Sequence, residues 1–305
     1  MTRRSRSFYG AVALALILVA TACGGSQPAG PDLHPAGTTD APPPTSAIRL
    51  QYATADGHDP AQNWGDLYLP TGSHTRRSIP VIVLVHGGGW LCRVPATSFS
   101  PFAEHLVARG AAVYNIEYRR LGCGGGFPTT FDDVTDAVRA VPGLALTHPE
   151  LDPTRTVVVG HSAGAQLAVY AASRLRSEGA DRPIRAVSIS GPLDMRTAVA
   201  DGDTRVSRVL GGGPSRESDR YRAVDPMENI DPTLPVTAIH GTADRTVPYK
   251  QSQIYIAALR AAGGQGQVML LPGENHTSLL TEGRPAQTLV VDRIMSVTLR
   301  RPVAP

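Results

Sequence analysis

The pentapeptide Gly160-His161-Ser162-Ala163-Gly164 joins an apolar run, Thr156-Val157-Val158-Val159, to the helix-forming stretch Ala163-Gly164-Ala165-Gln166-Leu167-Ala168. A serine between two glycines is a weak signal alone; its placement on a strand-to-helix turn carries the reading. Such a turn lifts the serine oxygen above the edge of a sheet. Gly160 and Gly164 remove side chains that would hold strand and helix apart. The helix starting at Ala163 aims its first unpaired amides at negative charge developing beside Ser162. Ser162 is therefore the candidate nucleophile.

Outward from that turn, short β-rich runs alternate with helical stretches. Strands are predicted near 48–53, 65–69, 80–85, 111–117, 156–159, 185–190, 236–240 and 267–271. Helices are predicted near 100–109, 131–141, 163–178, 251–262 and 285–299. Val81-Ile82-Val83-Leu84-Val85 is continuously apolar, as a strand covered on both faces of a parallel sheet is. The first two strands are more polar and precede the alternation, which predicts an antiparallel edge. The pattern as a whole predicts a three-layer α/β domain.

His86-Gly87-Gly88-Gly89-Trp90 directly follows the strand at 80–85. Consecutive glycines there can turn backbone amides toward an oxyanion, and donors fixed in advance lower the barrier to acyl transfer. With the elbow downstream, the amides of Gly88, Gly89 and Ala163 are the expected oxyanion-hole donors. His86 and His161 read as loop-holding or packing residues, and Asp133 as a brace for a helix start or loop. Trp90 reads either as a wall of the acyl pocket or as a cover for the sheet edge.

A serine needs an imidazole to take its proton, and chains with this elbow run serine, acid, histidine in order. Only His240 and His276 follow Ser162. His240 precedes every later acid, whereas His276 lies in Pro272-Gly273-Glu274-Asn275-His276 after the last strand, so His276 is the candidate base. Asp244, just past the strand at 236–240, is the candidate orienting acid; Glu274 and Asp194 compete for that role.

The combination of 86–90, Glu117-Tyr118-Arg119, Phe127-Pro128, Asp133, the elbow, Asp225-Pro226, 240–248 and Asn275-His276 resembles the α/β-hydrolase superfamily. Within it the chain is similar to the feruloyl or acetyl-xylan esterase-like (BD-FAE-like) group and to its neighbour, the hormone-sensitive-lipase-like esterases. The latter carry a helical cap upstream of their Gly-rich motif. Here only a tether and two short strands precede His86, which favours the cap-poor group, with any small lid drawn from 194–233. The resemblance implies an α/β-hydrolase fold over 48–305: a mostly parallel eight-stranded sheet, helices on both faces, and little or no cap. It also implies a serine carboxylic ester hydrolase, working through a Ser-His-Asp triad and an acyl-enzyme intermediate with no cofactor. The strands at 80–85 and 111–117 are adjacent in such a fold, and their following loops carry Cys92 and Cys123. A disulfide there would pin the loops framing the acyl pocket; two free thiols are the alternative.

The 305 residues are 42% hydrophobic and 18% charged, a balance that fits one large domain. The formal net charge of +3 is matched by Arg3, Arg4 and Arg6, so the remainder is near neutral and carries no electrostatic footprint for nucleic acid. Those arginines, the apolar run from Phe8 to Ala20, itself too short to span a bilayer as a helix, and Ala20-Thr21-Ala22-Cys23 predict a signal peptide over 1–22. Cys23 before two glycines resembles a lipobox cysteine, the site of lipidation. Ala20-x-Ala22 also suits ordinary signal peptidase, which leaves free secretion open. The small, polar residues of 23–47 read as a lipid-anchored flexible tether. Export places the chain at the bacterial cell envelope, on the outer face of the cytoplasmic membrane, or outside it, where conditions permit disulfides. No ligand spacing predicts a metal, and no phosphate loop is present. The expected partners are a small-molecule, polysaccharide or lipid ester substrate and, through the anchor, the membrane. A serine peptidase or amidase and a catalytically silent surface lipoprotein are the rival readings.

Overall fold

The computed structural model describes residues 47–55, 57–179 and 184–300. The predicted signal peptide and tether, Cys23 included, lie outside the described residues apart from Ala47. Among the described residues eight strands build one sheet: β1 (Ala47–Gln51), β2 (Trp64–Tyr68), β3 (Ile79–Val85), β4 (Ala112–Ile116), β5 (Leu151–His161), β6 (Ile184–Ile189), β7 (Val236–Gly241) and β8 (Gly266–Leu271). Their order is β1-β2-β4-β3-β5-β6-β7-β8. β2 pairs antiparallel with β1 and β4, and every other neighbour is parallel. The helices are α1 (Ser100–Val107), α2 (Thr129–Arg139), α3 (Val141–Thr147), α4 (Ala163–Ser177), α5 (Met195–Ala200), α6 (Thr204–Val209), α7 (Ser218–Val224), α8 (Lys250–Ala261) and α9 (Pro285–Thr298).

Both faces of the sheet are covered, which explains the continuous apolar runs. Alternate side chains of β3 point to opposite sides. Ile82 and Leu84 meet Phe102 and Leu106 of α1 and Val290 and Ile294 of α9. Val81 and Val83 belong to the second cluster, with Val134 and Val138 of α2, Leu167 of α4 and Tyr255 of α8. All seven residues of β3 are buried as a result.

β5 begins five residues before its apolar run. Its pairing with β3 shifts register between Pro80 and Val81, and after the buried Leu151 the extra segment is mostly polar. Asp152 supports it by accepting from the Thr154 amide and hydroxyl and from Arg155. Segment 194–233, where any lid was expected, folds as α5, α6 and α7. Asp194 caps α5 through the Thr197 amide, and Asp203 caps α6 through the Arg205 amide.

A second carboxylate completes this region. Asp225 is fully buried and accepts from the amides of Met195 and Arg196 at the start of α5 and from that of Met227. Burial pushes its carboxyl up to about 7, against the downward pull of those amides. An unfolded aspartate titrates near 4, so between about pH 4 and 7 the folded chain holds a proton that the unfolded chain has released. Stability therefore falls as pH rises through that window. Asp225→Asn is expected to flatten this slope in urea unfolding across the same range; an identical slope in the variant counts against the assignment.

The loops after β3 and β4 are zipped together. Leu121 donates to Trp90 and Cys92 to Leu121 through backbone amides, and Cys92 and Cys123 form a disulfide with Cα atoms 5.7 Å apart. Closing a loop of 31 residues stabilises by about 3–4 kcal/mol on chain-entropy grounds. Urea unfolding with and without reductant should show a loss of that order; an unchanged midpoint would argue that the bridge constrains nothing.

Candidate active site

The carboxyl ends of β5, β7 and β8 deliver the three side chains singled out above to one place. After β5 the chain turns at Ser162 with φ 56° and ψ −124°, a strained conformation for a residue with a side chain. Its amide donates to Ile189 at the end of β6. A Cβ at Gly164 would overlap the carbonyls of Val85 and His86, so only glycine lets α4 seat against the end of β3. A Cβ at Gly241 would likewise overlap the carbonyl of Glu274, which accepts from the Ala243 amide. The loops carrying Asp244 and His276 are thereby held against each other. Asn275 fixes the second loop by accepting from the amides of Thr277 and Ser278.

In this frame His276 Nε2 lies 2.8 Å from Ser162 Oγ, and His276 Nδ1 lies 2.7 Å from Asp244 Oδ2. The carboxylate can only accept, so Nδ1 carries the hydrogen and Nε2 offers its lone pair to the serine hydroxyl. Asp244 is buried, and its Oδ1 accepts from the amides of Thr246 and Val247 at 2.8 and 2.9 Å. Burial alone would raise its pKa. Hydrogen bonds from His240, His276 and the Val247 amide outweigh burial and hold the carboxyl well below the usual range. It therefore stays ionised beside the imidazole.

His240 serves as scaffold: its Nε2–H is shared between the Val247 carbonyl at 2.9 Å and Asp244 Oδ2 at 3.3 Å, and Nδ1 meets Ser252 Oγ at 2.7 Å. Glu274 pairs with Arg284 and Asp194 caps α5, so neither competing acid is bonded to His276. His161 donates from Nε2 to the carbonyl of His276 at 2.8 Å. Burial and the nearby His276 ring push His161 down to about 3, so it props the loop as a neutral ring.

Gly87, Gly88 and Gly89 border the same cleft as Ser162. A Cβ on Gly87 would press on His161 and Ser162, which shows how closely this loop rides on the elbow. Gly88 holds φ 113°, a conformation glycine alone tolerates easily. The amides of Gly88, Gly89 and Ala163 find no acceptor among the described residues. Trp90 lies beneath the loop, buried, with its indole N–H donating to Gln166 at 3.2 Å, and covers the sheet end rather than lining the cleft. Asp133 braces the loop after β4 by accepting from the amide and guanidinium of Arg119.

Sequence patterning missed the anchor of the glycine loop. Glu117, at the end of β4, is buried and binds His86 Nε2 at 2.9 Å, the Tyr118 amide at 2.9 Å, the Ala96 amide at 3.0 Å and Arg120 at 3.0 Å. Burial pushes the Glu117 carboxyl up, but His86, Arg120 and the Tyr118 amide together bring it below its ordinary value. Tyr118 stacks on His86 and donates to its carbonyl at 2.8 Å. One carboxylate thus ties the glycine loop to the loop entering α1. The acid of Glu117-Tyr118-Arg119 was visible in the sequence, but its partner stands 31 residues away. Glu117→Gln is expected to lower kcat about 10²-fold with little change in KM, because loosening the loop misplaces the amides. Steady-state kinetics on a nitrophenyl ester checks this, and wild-type kcat in a folded variant contradicts it.

The cleft has a volume of about 740 Å³. Val94, Phe99, Pro101, Phe102 and Leu280 give it an apolar wall, while Arg93, Arg205 and Glu282 add charge. Arg205 reaches in from α6 beside Gly89, its guanidinium held by both oxygens of Asp203. Among the described residues no group of three or more His, Cys, Asp and Glu side chains is arranged to hold a metal ion. The arrangement is chemically equipped to activate a hydroxyl and to receive an oxyanion.

Known proteins repeat the architecture. The chain is 28% identical over 262 residues to isoprenylcysteine alpha-carbonyl methylesterase of Arabidopsis thaliana, covering 78% of this chain and 60% of that protein. It spans about three fifths of the length of such curated relatives. A thermophilic esterase from Thermogutta terrifontis superposes with a TM-score of 0.65 at 23% identity, covering 83% of this chain and 91% of that one. A bifunctional GH43-CE protein from Bacteroides eggerthii gives 0.67 at 24%, covering 82% of this chain and 35% of that one. The sheet order and helical layers are those of the α/β-hydrolase fold. The model of the BD-FAE family matches residues 66–259, and with a fold and site of this kind the chain belongs to the BD-FAE family.

Proposed function

We propose that the protein is a serine carboxylic ester hydrolase with Ser162 as nucleophile, His276 as base and Asp244 as orienting acid. The observation that carries this reading is the unbroken hydrogen-bonded chain from Ser162 Oγ through His276 to Asp244 at the floor of the cleft. His276 Nε2 takes the hydroxyl proton as Ser162 Oγ attacks the ester carbonyl. The imidazolium that forms is stabilised by ionised Asp244. Negative charge on the carbonyl oxygen falls to the amides of Gly88, Gly89 and Ala163. His276 then protonates the leaving alcohol, the acyl group stays on Ser162, and water activated by the same imidazole releases the acid.

The relative named as a methylesterase supports an ester rather than an amide substrate. A small-molecule or carbohydrate ester suits an open cleft with one apolar wall. The sequence of residues 1–47 supports export, with a signal peptide over 1–22, lipidation at Cys23 and a tether to residue 47. The catalytic domain, 48–305, would then stand at the outer face of the cytoplasmic membrane.

The test is turnover of nitrophenyl esters of increasing acyl length, a feruloyl ester and an acetylated sugar, beside aminopeptide nitroanilides. Ester turnover far above anilide turnover supports the proposal. The reverse order indicates a peptidase, and no turnover together with no fluorophosphonate labelling indicates a silent protein.

A further inference from the structure

The opposite edge of the sheet carries a second recess. β6, β7 and β8 run parallel, so the ends that deliver Asp244 and His276 lie at one edge and the starts at the other. At the starting edge a cavity of about 360 Å³ is bordered by Arg185 of β6, Arg260 of α8 and Arg300 beyond α9, with Thr237 and Gln265 between them. Among the described residues no acidic side chain lines it.

Among the described residues no carboxylate pairs with these arginines. Arg185 Nη1 is buried and has no hydrogen-bond partner among the described residues. The charge that acts on Arg185 is another cation, Arg300, and burial with this repulsion lowers the Arg185 pKa. Arg260 spends its Nε on the carbonyl of Gly266 at 2.9 Å, which fixes its guanidinium at the rim. A guanidinium does not escape burial by losing its proton at physiological pH, so a buried N–H without an acceptor and two facing cations are both relieved by an anion. Planar guanidinium forks match tetrahedral oxyanions through paired hydrogen bonds. The volume is in the range of small-ligand pockets and exceeds what a bare halide needs.

We propose that this recess binds a phosphate-type oxyanion, either free phosphate or the phosphodiester of a lipid headgroup. Its distance from the catalytic edge separates it from the ester chemistry, so it stands or falls independently of the proposed activity.

The experiment is equilibrium dialysis of the full chain against inorganic phosphate and, separately, glycerophosphoglycerol, the deacylated headgroup of phosphatidylglycerol. Saturable binding of one probe per chain is expected, weakened at least about tenfold in Arg185→Gln and in Arg300→Gln, the scale of losing a charge-assisted hydrogen bond. Circular dichroism and nitrophenyl acetate turnover, both matching wild type, verify that the variants fold. Tighter binding of inorganic phosphate assigns a free anion, and tighter binding of the diester assigns a headgroup. The proposal is overturned if neither probe saturates at one per chain, or if both variants bind as tightly as wild type.

Discussion

Replacing Ser162 by alanine is expected to lower kcat for nitrophenyl acetate by about 10⁴- to 10⁶-fold, with KM little changed. The variant keeps the cleft and the oxyanion amides but loses the oxygen that His276 Nε2 approaches at 2.8 Å. What remains is the modest advantage of binding the ester beside preorganised donors. His276→Ala should fall by a similar factor, and the double variant no further, because the two groups act as one unit. Independent, multiplying losses would show that they act separately. A Ser162→Ala enzyme within about tenfold of wild type would mean that another group carries the acyl chain.

Asp244→Asn is expected to cost about 10⁴-fold in kcat at neutral pH, by a different route. The amide oxygen can still accept from the Thr246 and Val247 amides at the Oδ1 position. Its NH₂ then faces His276 Nδ1, which must accept, and the ring proton moves to Nε2. That tautomer cannot take the proton of Ser162. The same variant should alter acid stability. Asp244 is held well below its usual pKa in the folded chain, so its ionised form contributes stability above the unfolded value near 4. That contribution is lost as pH falls toward the folded pKa. Asp244→Asn should lack this component of the acid limb in unfolding measured below about pH 4. Full activity in the variant would return the orienting role to another acid, and an unaltered acid limb would remove the linkage.

Much of this architecture is legible in the sequence because burial on two faces leaves no polar interruption. The runs at 81–85 and 156–159 read as strands covered on both faces, and the more polar pair before them as an antiparallel edge, which β1 forms with β2 beside it. The elbow and the chain order of Ser162, Asp244 and His276 were readable because local backbone geometry and strand ends fix where such residues emerge. Less was visible where stability comes from distant partners. α5, α6 and α7 are too short to show a helical period, and a buried carboxylate at Asp225 organises the first of them from 30 residues away. The early half of β5 is hidden by a register shift that accommodates Asp152-Pro153-Thr154-Arg155. Glu117 could be noticed but not assigned, since its role depends on β4 lying beside β3. The support that His161 gives to the His276 loop was likewise invisible, because it joins residues 115 apart.

One measurement bears on the convergence of these three side chains more than any other. The unreduced full chain is inactivated with one equivalent of a fluorophosphonate and digested, and the adduct is located by mass spectrometry. A single adduct per chain on Ser162, formed in step with loss of ester turnover and strongly slowed in His276→Ala, is the expected result. An adduct on another residue, or turnover that persists after Ser162 is fully modified, would contradict it.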